Sequence, residues 1–351
     1  MAQANRTSQL QVALAGAGMI SWYHLTGWRK LAPRIELVAV CDPDEARARL
    51  RAEEFGIRTV YTDRDTMLAR ERIEALDIAS PRETHAAWIE AAAARGIDAL
   101  CQKPLTPTLA LAHSLLPRIE GRIRLMVHEN WRFRPWYREL KGWIAADLLG
   151  ELTLARMALV NSGFLPDGEG KRPSFVRQPF MQHEERLMLA EVLIHHLDVM
   201  RYLCGELRLV SARAARTLPE VAGETVASLH LETAAGAPVE VAGTMAAPGY
   251  PPRAPDRLEW IGTRASAVFE GSMLRLLGPE PRQIAYDQAH GYQASFDGVI
   301  AHFVDCLESG APFETDARDN IETLRLVEHA YWAAGMTETA VRGTGGRIGE
   351  R

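Results

Sequence analysis

Two side chains have the type and the setting to move a proton beside a reacting carbon: Lys103 and His195. Lys103 sits in Cys101-Gln102-Lys103-Pro104, directly after an apolar run, and a residue before proline avoids the helical region. Its ammonium is therefore held at the end of an extended segment. Partly buried there beside a cationic ring, it would have its pKa lowered toward neutrality, where proton exchange is feasible. A solvated surface lysine is the other reading of the same position. His195 lies in an apolar helical stretch, Leu187 to Cys204, whose core face is Leu193, Leu197, Met200 and Cys204. Glu191, His195, Asp198 and Tyr202 form a separate polar line at helical spacing. Glu191, one turn before His195, can hydrogen-bond the imidazole and raise its basicity. A core histidine is the alternative, and His196 points elsewhere. Glu191 and His195 have no evident third ligand, so no metal is expected.

These groups need a scaffold, and the stretch Gln9 to Ser21, QLQVALAGAGMIS, opens it. Leu10, Val12 and Leu14 have strand spacing, Gly16 and Gly18 make a tight turn, and Met19 and Ile20 begin a helix whose free amides would face a pyrophosphate. Ser21 stands where glycine or alanine is usual at the third small position. The next apolar run, Ile35 to Cys41, ends in Asp42, placed to hydrogen-bond an adenosine ribose diol. A carboxylate there repels a 2′-phosphate, so the expected cofactor is NAD, with NADP disfavoured. Asp42 can also be read as the cap of the following helix.

Strand and helix then alternate as far as the strand Ile123 to His128, with Thr106 and Pro107 read as the cap and first turn of one helix. Such alternation implies a parallel sheet, whose ligands bind at the carboxyl ends of its strands. That edge would carry Ser80, Pro81 and His85 after one strand, Gln102 and Lys103 after the next, and Asn130 and Arg132 after the last. Asn130 and Arg132, two apart, would face one cleft if the chain is still extended; Arg132 reads equally well as an interdomain salt bridge. Beyond residue 130 the alternation stops. Several runs between Leu207 and Phe269 read as an antiparallel sheet, and helices close the chain. The irregular stretch Asn161 to Arg186 interleaves Phe164, Phe175 and Phe180 with Arg172, Arg177 and Gln178, which suggests binding. The expected domains are 1–128 and 129–340, followed by a loose tail, 341–351.

The 351 residues are 47% hydrophobic and 24% charged with a net charge of -5, as in a globular protein with material for two cores. No basic stripe suggests nucleic acid, and no apolar leader or membrane-length segment is visible, so a cytoplasmic protein is expected. Cys41, Cys101, Cys204 and Cys306 are scattered, without disulfide or zinc spacing.

Together AGAGMIS, VAVCDPD, ASPRETH, CQKP and EVLIHHLD resemble, in order and spacing, the motifs of the glucose-fructose oxidoreductase, inositol dehydrogenase and rhizopine-catabolism family, Gfo/Idh/MocA. VHENWRF, RQPFMQHEERL and the QKP variant look like its branch of D-apiose dehydrogenases and related sugar oxidoreductases. The resemblance implies an α/β protein: an N-terminal Rossmann domain, a C-terminal α/β domain with a large, mostly antiparallel open sheet, and a last helix returning to the first domain. It also implies a homodimer or homotetramer assembled through that sheet. Lys103 matches the lysine of the family's EKP motif, His195 its catalytic histidine, and Glu191 the acid before it. Two departures stand out: Gln102 replaces a carboxylate, and Glu191 replaces an aspartate. The implied reaction is NAD-dependent oxidation of a small carbohydrate. His195, helped by Glu191, would take a hydroxyl proton, and Lys103 would stabilise the oxygen. Asn130, Arg132, Arg177 and Asp198 are the candidate substrate contacts. The rivals are an NAD-dependent glycoside hydrolase, with Arg132, Arg172 and Arg177 leaving room for an acidic sugar, and a non-catalytic NAD-binding sensor.

Overall fold

Val12, Ala13, Leu14, Val38, Ala39, Val40, Leu100 and Cys101 are all buried, and neighbours among them point to opposite faces of their strands, which is the pattern of a sheet covered on both sides. The computed structural model, which describes residues 9 to 336, folds them so. In chain order come β1 (Leu10–Ala15), α1 (Ser21–Lys30), β2 (Ile35–Cys41), α2 (Glu45–Phe55), β3 (Thr59–Tyr61), α3 (Arg64–Arg70), β4 (Ala75–Ile78), α4 (His85–Ala93), β5 (Asp98–Gln102), α5 (Leu109–Ile119) and β6 (Leu125–His128). The six strands make one parallel sheet in the order β3-β2-β1-β4-β5-β6. Strand order reverses between β1 and β4, the point where such sheets open a ligand crevice. The cap of α5 differs from the expectation. Thr108, in an extended conformation, accepts from the Leu111 amide at 3.3 Å, while Thr106 is fully buried and donates its hydroxyl to the Thr108 carbonyl.

The chain continues with α6 (Pro135–Ala145), β7 (Leu152–Val160), α7 (Pro173–Arg177), α8 (Ile194–Cys204), β8 (Leu207–Ala215), β9 (Val226–Thr233), β10 (Pro238–Thr244), β11 (Arg257–Gly262), β12 (Ser266–Glu270), β13 (Met273–Leu277), β14 (Arg282–Ala285), α9 (Gln288–Ser309) and α10 (Ala317–Ala333). Its eight strands form a second sheet, ordered β14-β13-β12-β11-β7-β10-β9-β8. Only the β7–β10 pair in it is parallel. Burial alternates along β9, β10 and β12, so one face packs inward and the other stays open. The irregular stretch before α8 has a small core of its own. Phe164 and Phe175 stack at 5.0 Å and pack with Met181, Leu187 and Val221, whereas Phe180 is exposed.

Two compact units result. One runs to Arg134 and takes in Ala289–Glu322; the other comprises Pro135–Gln288 and the chain from Thr323. The first unit thus includes nearly all of α9 and only the opening turns of α10. Val299, Ile300, Phe303 and Val304 of α9 join Leu10, Val12, Trp28, Ile35 and Leu100 in one core. Gly27 allows a close approach there: a Cβ would lie 2.7 Å from the terminal methyl of Ile300, which would have to move aside. Thr315 closes the edge of β6, its carbonyl accepting from the Val127 amide and its hydroxyl donating to the Val127 carbonyl. The tail 341–351 lies outside the described residues. Among the described residues, no helix is long and apolar enough to cross a membrane.

Candidate active site

The turn after β1 is shaped by two glycines with different reasons for being there. Gly16 has φ +97°, and a Cβ on it would stand 2.6 Å from the Ala79 carbonyl oxygen, so backbone conformation and the approach of β4 both demand glycine. A Cβ at Gly18 would meet nothing within 4 Å. The protein itself does not need glycine there, whereas a phosphate approaching the amides of the turn would. The donor set therefore fits a dinucleotide. Ser21, fully buried, donates its hydroxyl to the Gly18 carbonyl and accepts from Arg51, which steadies the same turn. Met19 is part-exposed beside it.

Asp42, the first residue past β2, braces this turn. One carboxylate oxygen accepts from the Ala17 amide at 2.7 Å and the other from the Asp44 amide at 2.9 Å. Each oxygen keeps a lone pair for a further donor. The capping of α2 falls to Asp44 instead. At the next strand end, the Ser80 hydroxyl pairs with Thr84 at 2.7 Å, and Pro81 leads into a short 3-10 turn. His85 is 1% exposed, with one ring nitrogen 2.9 Å from the Pro104 carbonyl and the other 3.0 Å from that of Ser80. Burial pushes its pKa down, and a neutral ring has one N–H, so it donates to one of these carbonyls and packs against the other. The ring is a clamp between two strand-end loops, and it shapes the crevice through Ser80 and Pro104.

At the end of β5 Gln102 is buried, and just past it Lys103 is half-buried, with a cis peptide to Pro104. Past β6, the chain does not stay extended as the sequence allowed. Asn130 to Phe133 form a 3-10 turn, so Asn130 and Arg132 do not share a face. Asn130 donates to the Ser295 hydroxyl at 2.8 Å; Arg132, 4% exposed, bonds the Glu314 carbonyl and pairs with Asp319 at 2.9 Å. Asp319 belongs to the same unit, so this ion pair is internal to it. Immediately before them in sequence, Glu129 is entirely buried, and burial pushes its carboxyl up to about 7, against the pull of Lys103 and Arg132. Nothing in the sequence singles out Glu129, because an acid next to a strand end gives no sign of its burial.

In the second unit the expected single helix is two. Met188–Leu193 is a π-helical turn, and α8 starts at Ile194. The wide turn breaks the simple four-three-four spacing, since Glu191 lies in the π segment and His195 in the α segment. His195 is 6% exposed, and Asp198 is fully buried and accepts from the Thr323 hydroxyl at 3.3 Å. His196 has a different job: its Nε2 meets Asp256 at 2.9 Å, and that carboxylate also accepts from Tyr137. Glu224 holds the entry to the π turn, accepting from the Leu187 and Leu189 amides and the Tyr331 hydroxyl. Arg177 ends α7, and Arg172 pairs with Glu220.

A doubly wound sheet opening on such a glycine turn, followed in one chain by a large open sheet, defines a two-domain dinucleotide-binding protein. Residues 10–127 match the model for the Gfo/Idh/MocA oxidoreductase family, NAD-binding Rossmann fold, and residues 137–268 that for the Gfo/Idh/MocA C-terminal domain. The chain is 32% identical over 335 residues to the D-apiose dehydrogenase of Paraburkholderia graminis, covering 92% of this chain and 87% of that protein. It is 30% identical over 311 residues to inositol 2-dehydrogenase 4 of Saccharopolyspora erythraea, covering 86% of each. A solved oxidoreductase from Agrobacterium radiobacter, in complex with NAD+, L-tartaric acid and magnesium, matches with a TM-score of 0.86 and 30% identity, over 93% of this chain and 97% of that one. The chain belongs to the Gfo/Idh/MocA family of NAD-binding oxidoreductases.

Proposed function

We propose that this protein is an NAD-dependent dehydrogenase of a sugar or polyol, with D-apiose and related sugars the first substrates to try. The observation that carries the reading is the carboxyl edge of the first sheet: Gly18 leaves room for a phosphate, and Lys103 follows β5, two strands from β1. The P. graminis and S. erythraea relatives, dehydrogenases of D-apiose and of inositol, support the substrate class. Gly16, Gly18, Met19 and Ile20 cradle the pyrophosphate; Asp42 receives the ribose diol and favours NAD over NADP; Ser80, Pro81, His85 and Gln102 wall the crevice. NAD, when bound, accepts the hydride from the carbinol carbon. Lys103 donates a hydrogen bond to the substrate oxygen and stabilises its developing negative charge. His195 receives the hydroxyl proton, with Glu191 supporting the imidazole. Arg177 and Asp198 contact the remaining hydroxyls. Asn130 and Arg132, held by Ser295, Glu314 and Asp319, shape the site from behind.

Lys103→Met and His195→Asn, assayed for NADH formation on a panel of free sugars, should each lower kcat by roughly 10²–10⁴-fold. NAD affinity should be little changed. Near-normal turnover in both variants would refute the scheme, and aglycone release from glycosides without net NADH would move the reading to a redox-neutral hydrolase.

The open face of the second sheet supports a homo-oligomer. A groove of about 190 Å³ on it is lined by Ala158, Ala242 and the charged residues Arg156, Glu240, Arg257 and Glu259. Arg156 and Glu240 pair at 3.0 Å, and Arg257 pairs with Glu259, so the face presents small apolar residues among neutralised charges.

A further inference from the structure

Gln102 raises a question of donors and acceptors that the geometry answers. Its Oε1 lies 3.2 Å from the Lys103 backbone nitrogen, which can only donate. The carbonyl end of the amide must face that N–H, so the NH₂ end faces the other way, toward His24 Nε2 at 2.8 Å and His128 Nδ1 at 3.3 Å. Both ring nitrogens must then offer lone pairs. His24 carries its proton on Nδ1, which donates to Asp77 at 2.8 Å beside the Trp28 indole N–H. Two neutral rings also suit the 4.3 Å separation of the His24 and His128 centroids, where two imidazolium ions would repel. Gln102 is thus locked into a neutral bridge by all its polar atoms, and a carboxylate could not replace it without protonating a histidine.

The carboxylate near Lys103 comes from the adjacent strand. In the parallel register of β5 and β6, Gln102 pairs with His128, so Lys103 and Glu129 are the first residues beyond two paired, adjacent strand ends. Glu129 is fully buried. We propose that Glu129 is the counter-ion of Lys103, a positioning residue that holds the ammonium in place as a donor, while Gln102 is kept neutral to serve the two histidines. This rests on the reading of Lys103 as the group that meets the substrate oxygen. The other groups facing Glu129 are Arg132 from its own turn and Asp319 and Asn320 from the start of α10, with His128 preceding it. Burial raises the Glu129 carboxyl to about 7, and of the opposite charges acting on it Lys103 pulls harder than Arg132. The tether therefore forms as pH rises through neutrality.

The test uses the full chain with NAD bound. Lysine occurs at only four positions, Lys30, Lys103, Lys141 and Lys171, so reductive ¹³C-methylation gives few NMR signals, and Lys103→Arg identifies the one that matters. In the parent the Lys103 signal should shift with a midpoint near pH 7, a transition absent in Glu129→Gln and retained in Glu129→Asp. Steady-state kinetics should show kcat falling about tenfold in Glu129→Gln with loss of the acidic limb near pH 7, and KM within about threefold. A flat Lys103 signal in the parent, or the same transition persisting in Glu129→Gln, overturns the pairing; the latter would assign it to His24 or His128. If Glu129→Gln does not fold, the parent signal and Glu129→Asp still decide. Normal turnover in Lys103→Met, together with the pH-dependent Lys103 signal in the parent, would sink the catalytic reading and leave the ion pair standing.

Discussion

A carboxyl held at about 7 inside a protein has a cost that depends on pH. Folded Glu129 binds its proton more tightly than the unfolded chain does, so its contribution is favourable in acid and is lost as pH rises from its ordinary 4.5 through about 7. The full difference is on the order of 3 kcal/mol. Glu129→Gln should remove that slope. Its urea midpoint should fall less between acid and alkaline buffer than the parent's, and equal falls would show that burial does not strain the ionised group. Gly16→Ala should fail differently. Positive φ and the 2.6 Å approach to Ala79 both oppose a methyl group, so NAD binding measured by calorimetry should drop by at least tenfold, together with a lowered thermal midpoint. Gly18→Ala should bind NAD poorly yet melt without NAD as the parent does.

The helix carrying His195 depends on an acid outside it. Glu224 points both carboxylate oxygens at backbone amides of the π turn, and burial raises its pKa despite those bonds. In Glu224→Gln one acceptor becomes a donor facing an N–H, which should cost roughly 1–3 kcal/mol in urea unfolding. Turnover should fall with it, because the π turn sets where Glu191 and His195 lie along the chain; an unchanged midpoint would show that the turn holds by itself. This element marks the limit of what the sequence discloses. Apolar runs and glycine spacing sufficed for the parallel sheet, since burial on both faces leaves a one-dimensional trace. The π turn leaves none: the groups bonded at its entry, Glu224 and through it Tyr331, lie far along the chain. Likewise Asn130 and Arg132 read as strand-end residues, and only the 3-10 turn, fixed by Ser295 and Asp319, shows that they look elsewhere. His24 and Asp77 were hidden in apolar elements for the same reason.

On the scale of the molecule, the open sheet face should be where copies meet. Replacing Ala158 and Ala242 by arginine would put charge into the groove, and light scattering should then report a smaller assembly with NAD affinity intact. An unchanged mass would place the contact elsewhere. A separate consequence lies in the order in which the chain is made. Residues 135 to 288 interrupt the nucleotide-binding unit, whose Leu10, Val12, Trp28 and Ile35 wait for Val299, Ile300 and Phe303 to cover them. On a ribosome adding roughly 5–20 residues per second, the first-made strands stay sticky until the inserted unit has been synthesised. A gene fragment ending at Arg134 should therefore give aggregates, and one rejoining residues 9–134 to 289–322 by a short linker should give a soluble nucleotide binder.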